Sequence, residues 1–144
     1  MPFFEGEIVN GQPIIAVAIT LPDAREIKKN EDMFRALVDT GSNATLISEG
    51  IVRKLNLTSI EKGDIVGVTG KKSAVPIHRV DLHIPITELR PTKTQVFAQE
   101  HWKHIVSIEV TEFPGSKNFD VLLGMDILIH CHLTMFNGKF TIGF

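Results

Sequence analysis

Asp39, Thr40, Gly41 and Ser42 follow directly on the apolar run Ala36-Leu37-Val38, and here residue types and spacing point most clearly to chemistry. A carboxylate carried out of a buried strand is costly unless several donors face it. A turn built of Thr, Gly and Ser supplies them. Glycine opens backbone conformations closed to other residues, the turn's amides can point at the carboxylate, and two hydroxyls stand beside it. An Asp held in this way can move protons at a reacting carbonyl. The same four residues also fit an Asp that merely caps its own turn, so their weight depends on what accompanies them. Two histidine groups offer a different chemistry: His101 and His104 in "HWKH", and His130 and His132 around Cys131. Zinc would want such residues to converge, but the spacing fits no standard finger. On a strand Cys131 would face away from both neighbours. Surface or packed histidines are expected, with no metal and no other cofactor.

The elements that must position Asp39 are mostly strands. "QPIIAVAITL" and "FRALVD" are β-rich, and the charged "PDAREIKKNED" between them reads as a solvated loop. "SEGIVRKLNL" reads as a short helix with Ser48 as N-cap. From Val75 the apolar residues alternate, with a one-residue slip near Arg79 that two strands joined over the glycine-bearing "VTGKKS" would explain, giving a hairpin at about 64–78. "TQVFAQEHW" and "HIVSIEVTEF" are further strand candidates, and "PGSKNFD" is a turn-rich loop. Val121-Leu122-Leu123-Gly124 is an apolar strand whose glycine must let another backbone pass close, and "MDILIHC" follows as a short helix. Asn137-Gly138 between alternating apolar residues marks a hairpin. Phe3 and Phe4 would be buried by pairing of the terminal strands, and Trp102 belongs to the core or an interface. The expectation is an all-β single domain over residues 1–144 with one or two short helices.

Composition narrows the function classes. A chain of 144 residues can bury a real core. A net charge of −2 favours neither nucleic acid nor an anionic membrane as partner. No apolar run approaches membrane-spanning length, and the N-terminus lacks the basic and apolar regions of a signal peptide. With Cys131 alone no internal disulfide can form, which fits a reducing compartment; a cytoplasmic protein is expected.

"LVDTGSNATLIS", a glycine-bearing hairpin and "VLLGMDIL", in that order from about Phe34 to Leu128, resemble the retropepsin-like aspartic proteases. The resemblance implies a β-barrel with Asp39 catalytic and Thr40, Gly41 and Ser42 supporting its loop. It implies a flap carrying Gly67, Val68, Thr69 and Gly70 over the substrate, and Leu122, Leu123 and Gly124 packed beneath the loop. Pepsin-type chains carry two Asp-Thr/Ser-Gly loops; this chain has one, since "PDAR", "KGDIV" and "VDLH" lack the motif. The implied enzyme is therefore a homodimer acting on a peptide or protein, with two Asp39 side chains sharing one proton. Retroviral members usually pair an acid two positions after the first glycine with an Arg after the second. Here those places hold Asn43 and Met125. Asp126 matches a polar position common in the family and is placed to cap the next helix. Ser42 stands where many retroviral relatives carry Ala, and is expected to hydrogen-bond the outer oxygen of Asp39 and lower the pair's apparent pKa values. The insertions at 22–32 and 87–118 fall outside the motifs and are candidates to reshape the groove or the dimer interface. The alternative is a weakly active or inactive peptide-binding or assembly module of the same fold. The intact Asp-Thr-Gly-Ser argues against it, because a scaffold has no need of an inward Asp.

Overall fold

Val and Ile dominate the alternating segments, and their branched side chains suit a pleated, half-buried surface. In the computed structural model, which describes residues 1–24, 26–66 and 72–144, those segments form ten strands and two short helices among the described residues. In chain order they are β1 (Phe3–Val9), β2 (Gln12–Thr20), β3 (Met33–Val38), β4 (Leu46–Ser48), α1 (Glu49–Lys54), β5 (Glu61–Val66), β6 (Lys72–Pro91), β7 (Val96–Phe113), β8 (Val121–Leu123), α2 (Met125–Leu128), β9 (His132–Phe136) and β10 (Lys139–Gly143). The all-β expectation holds. The flap-tip residues Gly67, Val68, Thr69 and Gly70 lie outside the described residues, although β5 and β6 on either side of them pair antiparallel from Glu61↔Ile77 to Val66↔Lys72.

The strands lie in the order β5-β6-β7-β4-β8-β3-β2-β1-β10-β9. β6 closes the sheet on itself, because it also pairs with β2 from Ala18↔His83 to Thr20↔Asp81 and with β1 at Phe3↔Thr87. The core inside is built by Ile15, Val17, Ile19, Ile47, Ile51, Val80, Leu82, Ile84, Val110, Val121, Leu123, Phe140 and Ile142, each almost wholly buried. The expected terminal pairing is present. β1 runs antiparallel to β10 from Phe3↔Gly143, and Phe4 packs on Phe140 with ring centroids 5.8 Å apart. The β9–β10 turn at Asn137-Gly138 has both residues at positive φ, 51° and 75°, as a two-residue hairpin of this twist requires. Ser48 caps α1 by accepting from the Ile51 amide at 3.3 Å. Asn56, at φ 54°, then ends it, with the Leu57 amide returning to the Val52 carbonyl at 3.0 Å. No helix among the described residues is long and apolar enough to cross a membrane.

Two elements are longer than the sequence suggested. β6 and β7 form one continuous ribbon paired from Ile77↔Thr111 to Pro91↔Val96. The slip near Arg79 is therefore not a change of strand. It is a register shift between Val80 and Leu82, where β7 bulges and Ser107 takes φ 52°. Asp81 sits at this bulge fully buried. Its carboxylate accepts from the Ser107 amide at 2.6 Å, from His104 Nε2 at 2.8 Å and from the Asp23 amide at 3.3 Å, which ties the loop after β2 to the barrel. Burial alone would push Asp81 up; these three donors together outweigh it and hold its carboxyl below the usual carboxylate range. His83, also buried, stacks on His104 with centroids 4.4 Å apart and shares a 2.9 Å hydrogen bond with Thr20 Oγ1. Burial first, then the neighbouring His104, lowers its pKa against the opposing pull of Asp81 and Asp32. Trp102 lines an open groove of about 630 Å³ with Phe3, Phe4, Met33 and Ile86.

The sign of the pH dependence follows from these directions. A histidine whose folded pKa is depressed takes up protons more readily unfolded, so stability falls as pH drops below about 6.5. Asp81 adds a second loss at more acid pH, as its lowered folded pKa is passed. The melting temperature of the wild type is expected to fall between pH 7.5 and 5.5, and that of His83→Gln to fall less. Parallel curves would show that His83 does not control this limb.

Candidate active site

Strand order creates the site. β8 lies between β3 and β4, parallel to β3 at Ala36↔Val121, Leu37↔Leu122 and Val38↔Leu123, and antiparallel to β4 at Leu46↔Leu122. The chain leaving β3 must therefore cross the end of β8 to reach β4, and residues 39–45 are that crossing. At its lowest point the loop runs directly over Gly124. A Cβ on Gly124 would stand 2.4 Å from the Ala44 carbonyl oxygen and 2.5 Å from its carbon. The glycine is required by this close backbone approach, as the sequence suggested, and its φ of −94° is open to any residue.

Asp39 is the first residue of the crossing. Its amide donates to the Leu123 carbonyl at 3.0 Å, which extends the β3–β8 ladder by one more contact. Its Oδ1 accepts from the Gly41 amide at 2.8 Å, and its carbonyl accepts from the Ser42 amide at 3.3 Å, so the loop closes as a tight turn around its own carboxylate. Oδ2 has no protein partner among the described residues, and the side chain is half-buried. The Ser42 carbonyl accepts from the Met125 amide at 2.7 Å, which fastens the loop to the start of α2.

Two expectations about this loop are corrected. Gly41 does not adopt positive φ. Its amide donates to Asp39, and a Cβ added there would stand 3.1 Å from Oδ1, so a larger residue would crowd the carboxylate. Ser42 does not donate to Asp39; its hydroxyl donates to the Ala44 carbonyl at 2.8 Å and braces the crossing itself. Thr40 and Asn43 are exposed.

The residue pair that locks loop and helix together escaped the sequence reading. Thr45 is fully buried. Its hydroxyl donates to Asp126 Oδ1 at 2.7 Å and accepts from the Gly124 amide at 3.2 Å, while its own amide donates to Asp126 Oδ2 at 3.0 Å. Asp126 also accepts from the Ile127 amide at 3.0 Å, but it is not the N-cap of α2; that position is Gly124, without a side-chain cap. The signal available in the sequence was a carboxylate two residues after the glycine, matched by a hydroxyl residue at the far end of the crossing. Cys131 stands apart from this network. Its thiol donates to the Ile127 carbonyl at 3.5 Å and is pushed up by burial, with Lys103 opposing. His104 is engaged by Asp81, and His130 and His132 are exposed.

A family model described as "Aspartyl protease" matches residues 26–127, the span that contains both the crossing and the strand beneath it. No match was found among curated proteins. Among solved structures, a retropepsin-like aspartic protease from Rickettsia conorii aligns over 97% of this chain and 89% of its own, with a TM-score of 0.52 and 13% identity. At that identity the likeness speaks for the fold.

Gly124→Ala is expected to cost at least ~3 kcal/mol, because the atoms met are backbone and cannot rotate away. Asp126→Ala strands two buried donors of Thr45 and should cost about 1–3 kcal/mol. Urea unfolding measures both. A Gly124→Ala protein within 1 kcal/mol of wild type (about the scatter of the method) would mean that the crossing can lift off β8 at little cost.

Proposed function

This chain belongs to the aspartyl protease family, and from that premise we propose that residues 1–144 act as one domain, an aspartic endopeptidase whose site is completed by a second copy of the chain. The observation that carries the reading is the state of Asp39: one oxygen fixed by the Gly41 amide, the other without a protein partner among the described residues, on a loop pinned to β8 and α2. A turn that only needed capping would not require the Gly124 crossing to hold its carboxylate at a fixed place on the surface.

One Asp39 cannot be acid and base at once, and this chain carries a single Asp-Thr-Gly loop. Two loops related by a twofold axis bring two Asp39 carboxylates together, and two such groups hold one proton between them. Aspartic proteases are themselves the standard example of paired carboxylates that behave in this way. The ionised carboxylate takes a proton from a bound water as the water oxygen bonds to the scissile carbonyl carbon, and the protonated carboxyl gives its proton to the carbonyl oxygen. As the gem-diol collapses and the C–N bond breaks, one of its hydroxyl protons passes to the ionised carboxylate and the leaving nitrogen takes the proton of the other carboxyl, which restores the single shared proton. Thr40, Gly41 and Ser42 hold the loop. The β5–β6 hairpin covers the substrate as a flap.

Asp39→Asn keeps the shape and removes the proton chemistry, so cleavage of a peptide library at acidic pH should fall by about 10²–10⁴-fold while the melting temperature stays close to wild type. Undiminished cleavage by a clean Asp39→Asn preparation would sink the assignment. Because the Ser42 hydroxyl is committed to Ala44, Ser42→Ala should leave the acid limb of the kcat/KM profile in place and act through loop stability. A displaced acid limb would show instead that Ser42 reaches Asp39 in the working enzyme.

A further inference from the structure

β6 changes partners at Ile77. Toward the turn it pairs with β5, from Val66↔Lys72 to Glu61↔Ile77; toward the barrel it pairs with β7, from Ile77↔Thr111 onward. Ile77 is therefore where the β5–β6 hairpin parts from β7, and Pro76 is what stops the ladder there. The Ile77 carbonyl accepts from the Ile60 amide at 2.9 Å, so the backbone groups of Ile77 face the β5 side. Alternation turns those of residue 76 toward β7, where Glu112 is next in register. Proline has no N–H to offer, and the rung is missing.

Side chains span the gap. Glu112 is the first residue of β7 past its last pair with β6. Its Oε2 lies 2.9 Å from Nε2 of His78, the diagonal neighbour just inside the fork. His78 is buried, and the Glu112 side chain is 19% exposed. Facing a carboxylate, which only accepts, Nε2 carries the proton and donates. Nδ1 is then left as an acceptor, and it is the one buried side-chain nitrogen or oxygen without a partner among the described residues. An unpaired buried polar atom is costly. A leucine would fill the position without that cost, so packing does not account for the histidine. The bond to Glu112 does.

Glu112 is held in turn from the side of the Asp39 loop. It pairs in parallel with Ile47 of β4, and the Thr111 amide beside it donates at 3.1 Å to the carbonyl of Thr45, the last residue of the crossing. Contacts therefore run without a break from the crossing through β4 and Glu112 to the base of the hairpin. A two-stranded hairpin is marginal by itself, and its direction is set where it leaves the barrel.

We propose that His78 is a positioning residue: its bond to Glu112 closes the fork between the β5–β6 hairpin and β7 and so aims the hairpin at the Asp39 site. The inference rests on the reading of that hairpin as a flap and names what holds it in place relative to the catalytic loop. Without the bond the hairpin samples orientations that do not cover a substrate, and apparent affinity falls in proportion to the covering fraction. Bound substrate and transition state lose equally, so the loss enters KM and not kcat.

The test compares His78→Leu and Glu112→Leu, which remove the bond, with His78→Gln, whose side-chain amide still offers Glu112 a donor. Amide exchange is read on the full chain in the Asp39→Asn background, independently of cleavage. Both leucine variants are expected to speed exchange about tenfold or more at the amides of 61–66 and 72–77, with those of β2 and β3 changed less than about twofold and His78→Gln close to wild type. With Asp39 intact, KM for a peptide cleaved from a library should rise about three- to tenfold in both leucine variants, with kcat held within about twofold and His78→Gln restoring KM. Exchange that rises equally in hairpin and barrel would make the bond a general stabiliser and overturn the proposal. Leucine variants indistinguishable from wild type, or a loss confined to kcat, would overturn it as well. A wild-type chain that cleaves no peptide, with exchange changes confined to the hairpin, would uphold the His78 fork and sink the protease reading instead.

Discussion

One steric contact governs the position of everything chemical in this chain: the backbone of Ala44 resting on Gly124 with no room for a Cβ between them. Two strands that neighbour each other in sequence, β3 and β4, are kept apart in the sheet by β8, which arrives more than seventy residues later. The connection has to bridge that third strand. Bridging at van der Waals contact, rather than by an arch into solvent, keeps the loop rigid. It also explains why Asp39 can stay half-buried at the end of an apolar strand. Its amide is still in the ladder through Leu123, and its carboxylate is served by the turn that the crossing imposes.

A crossing held only by contact would slide, and the Thr45–Asp126 network prevents this. Asp126 accepts from the Thr45 hydroxyl, the Thr45 amide and the Ile127 amide, so one carboxylate ties the end of the loop to the first turn of α2. The retroviral pattern places a carboxylate and an arginine across the same junction, whereas this chain has Asn43 and Met125 there. Here the junction is held by neutral donors on one carboxylate instead of by two opposite charges. Asp126 is itself exposed, so its carboxylate can face three N–H and O–H groups and still keep water, with no cation required beside it.

Much of this was legible in the sequence, though not always for the right reason. Asp39 and Gly124 could be read because each sits at the end of an apolar strand, where neither a charge nor a missing side chain suits a core position. The Asn137-Gly138 hairpin was legible because its turn needs two residues that tolerate positive φ. The parity change near Arg79 was visible too, but a bulge and a change of strand alter alternation in the same way, and only the partner register at Val80 and Leu82 separates them. β7 was split in two because most of its residues from Val96 to Glu109 are exposed on both faces, so no alternation marks it as a strand. The turn amide that faces Asp39 is Gly41's, as expected, but the Ser42 hydroxyl takes a different partner. A serine hydroxyl has many acceptors in a tight turn, and composition cannot rank Ala44 against Asp39. Thr45 and Asp126 lie 81 residues apart, and no local pattern joins them.

Topology also settles which parts of the chain can work together. The loop after β2 joins β3 at Met33, and β3 runs from there to Val38 before Asp39. At about 3.3 Å per residue the insertion at 22–32 meets the barrel roughly 20 Å from the crossing. The β6–β7 ribbon is anchored beside the crossing at Thr111, whose amide donates to the Thr45 carbonyl at 3.1 Å, and its far end pairs Pro91 with Val96. Along the strand that end lies as much as about 50 Å from Thr111. The Asp81–His104 cluster, which fixes the ribbon's bulge and accepts the Asp23 amide, joins both insertions to one another at the end of the barrel away from Asp39. Within one chain the insertion at 22–32 and the bulge region of 87–118 therefore form a unit away from the Asp39 loop, while the end of the second insertion, at Thr111–Phe113, pairs with β4 beside the crossing.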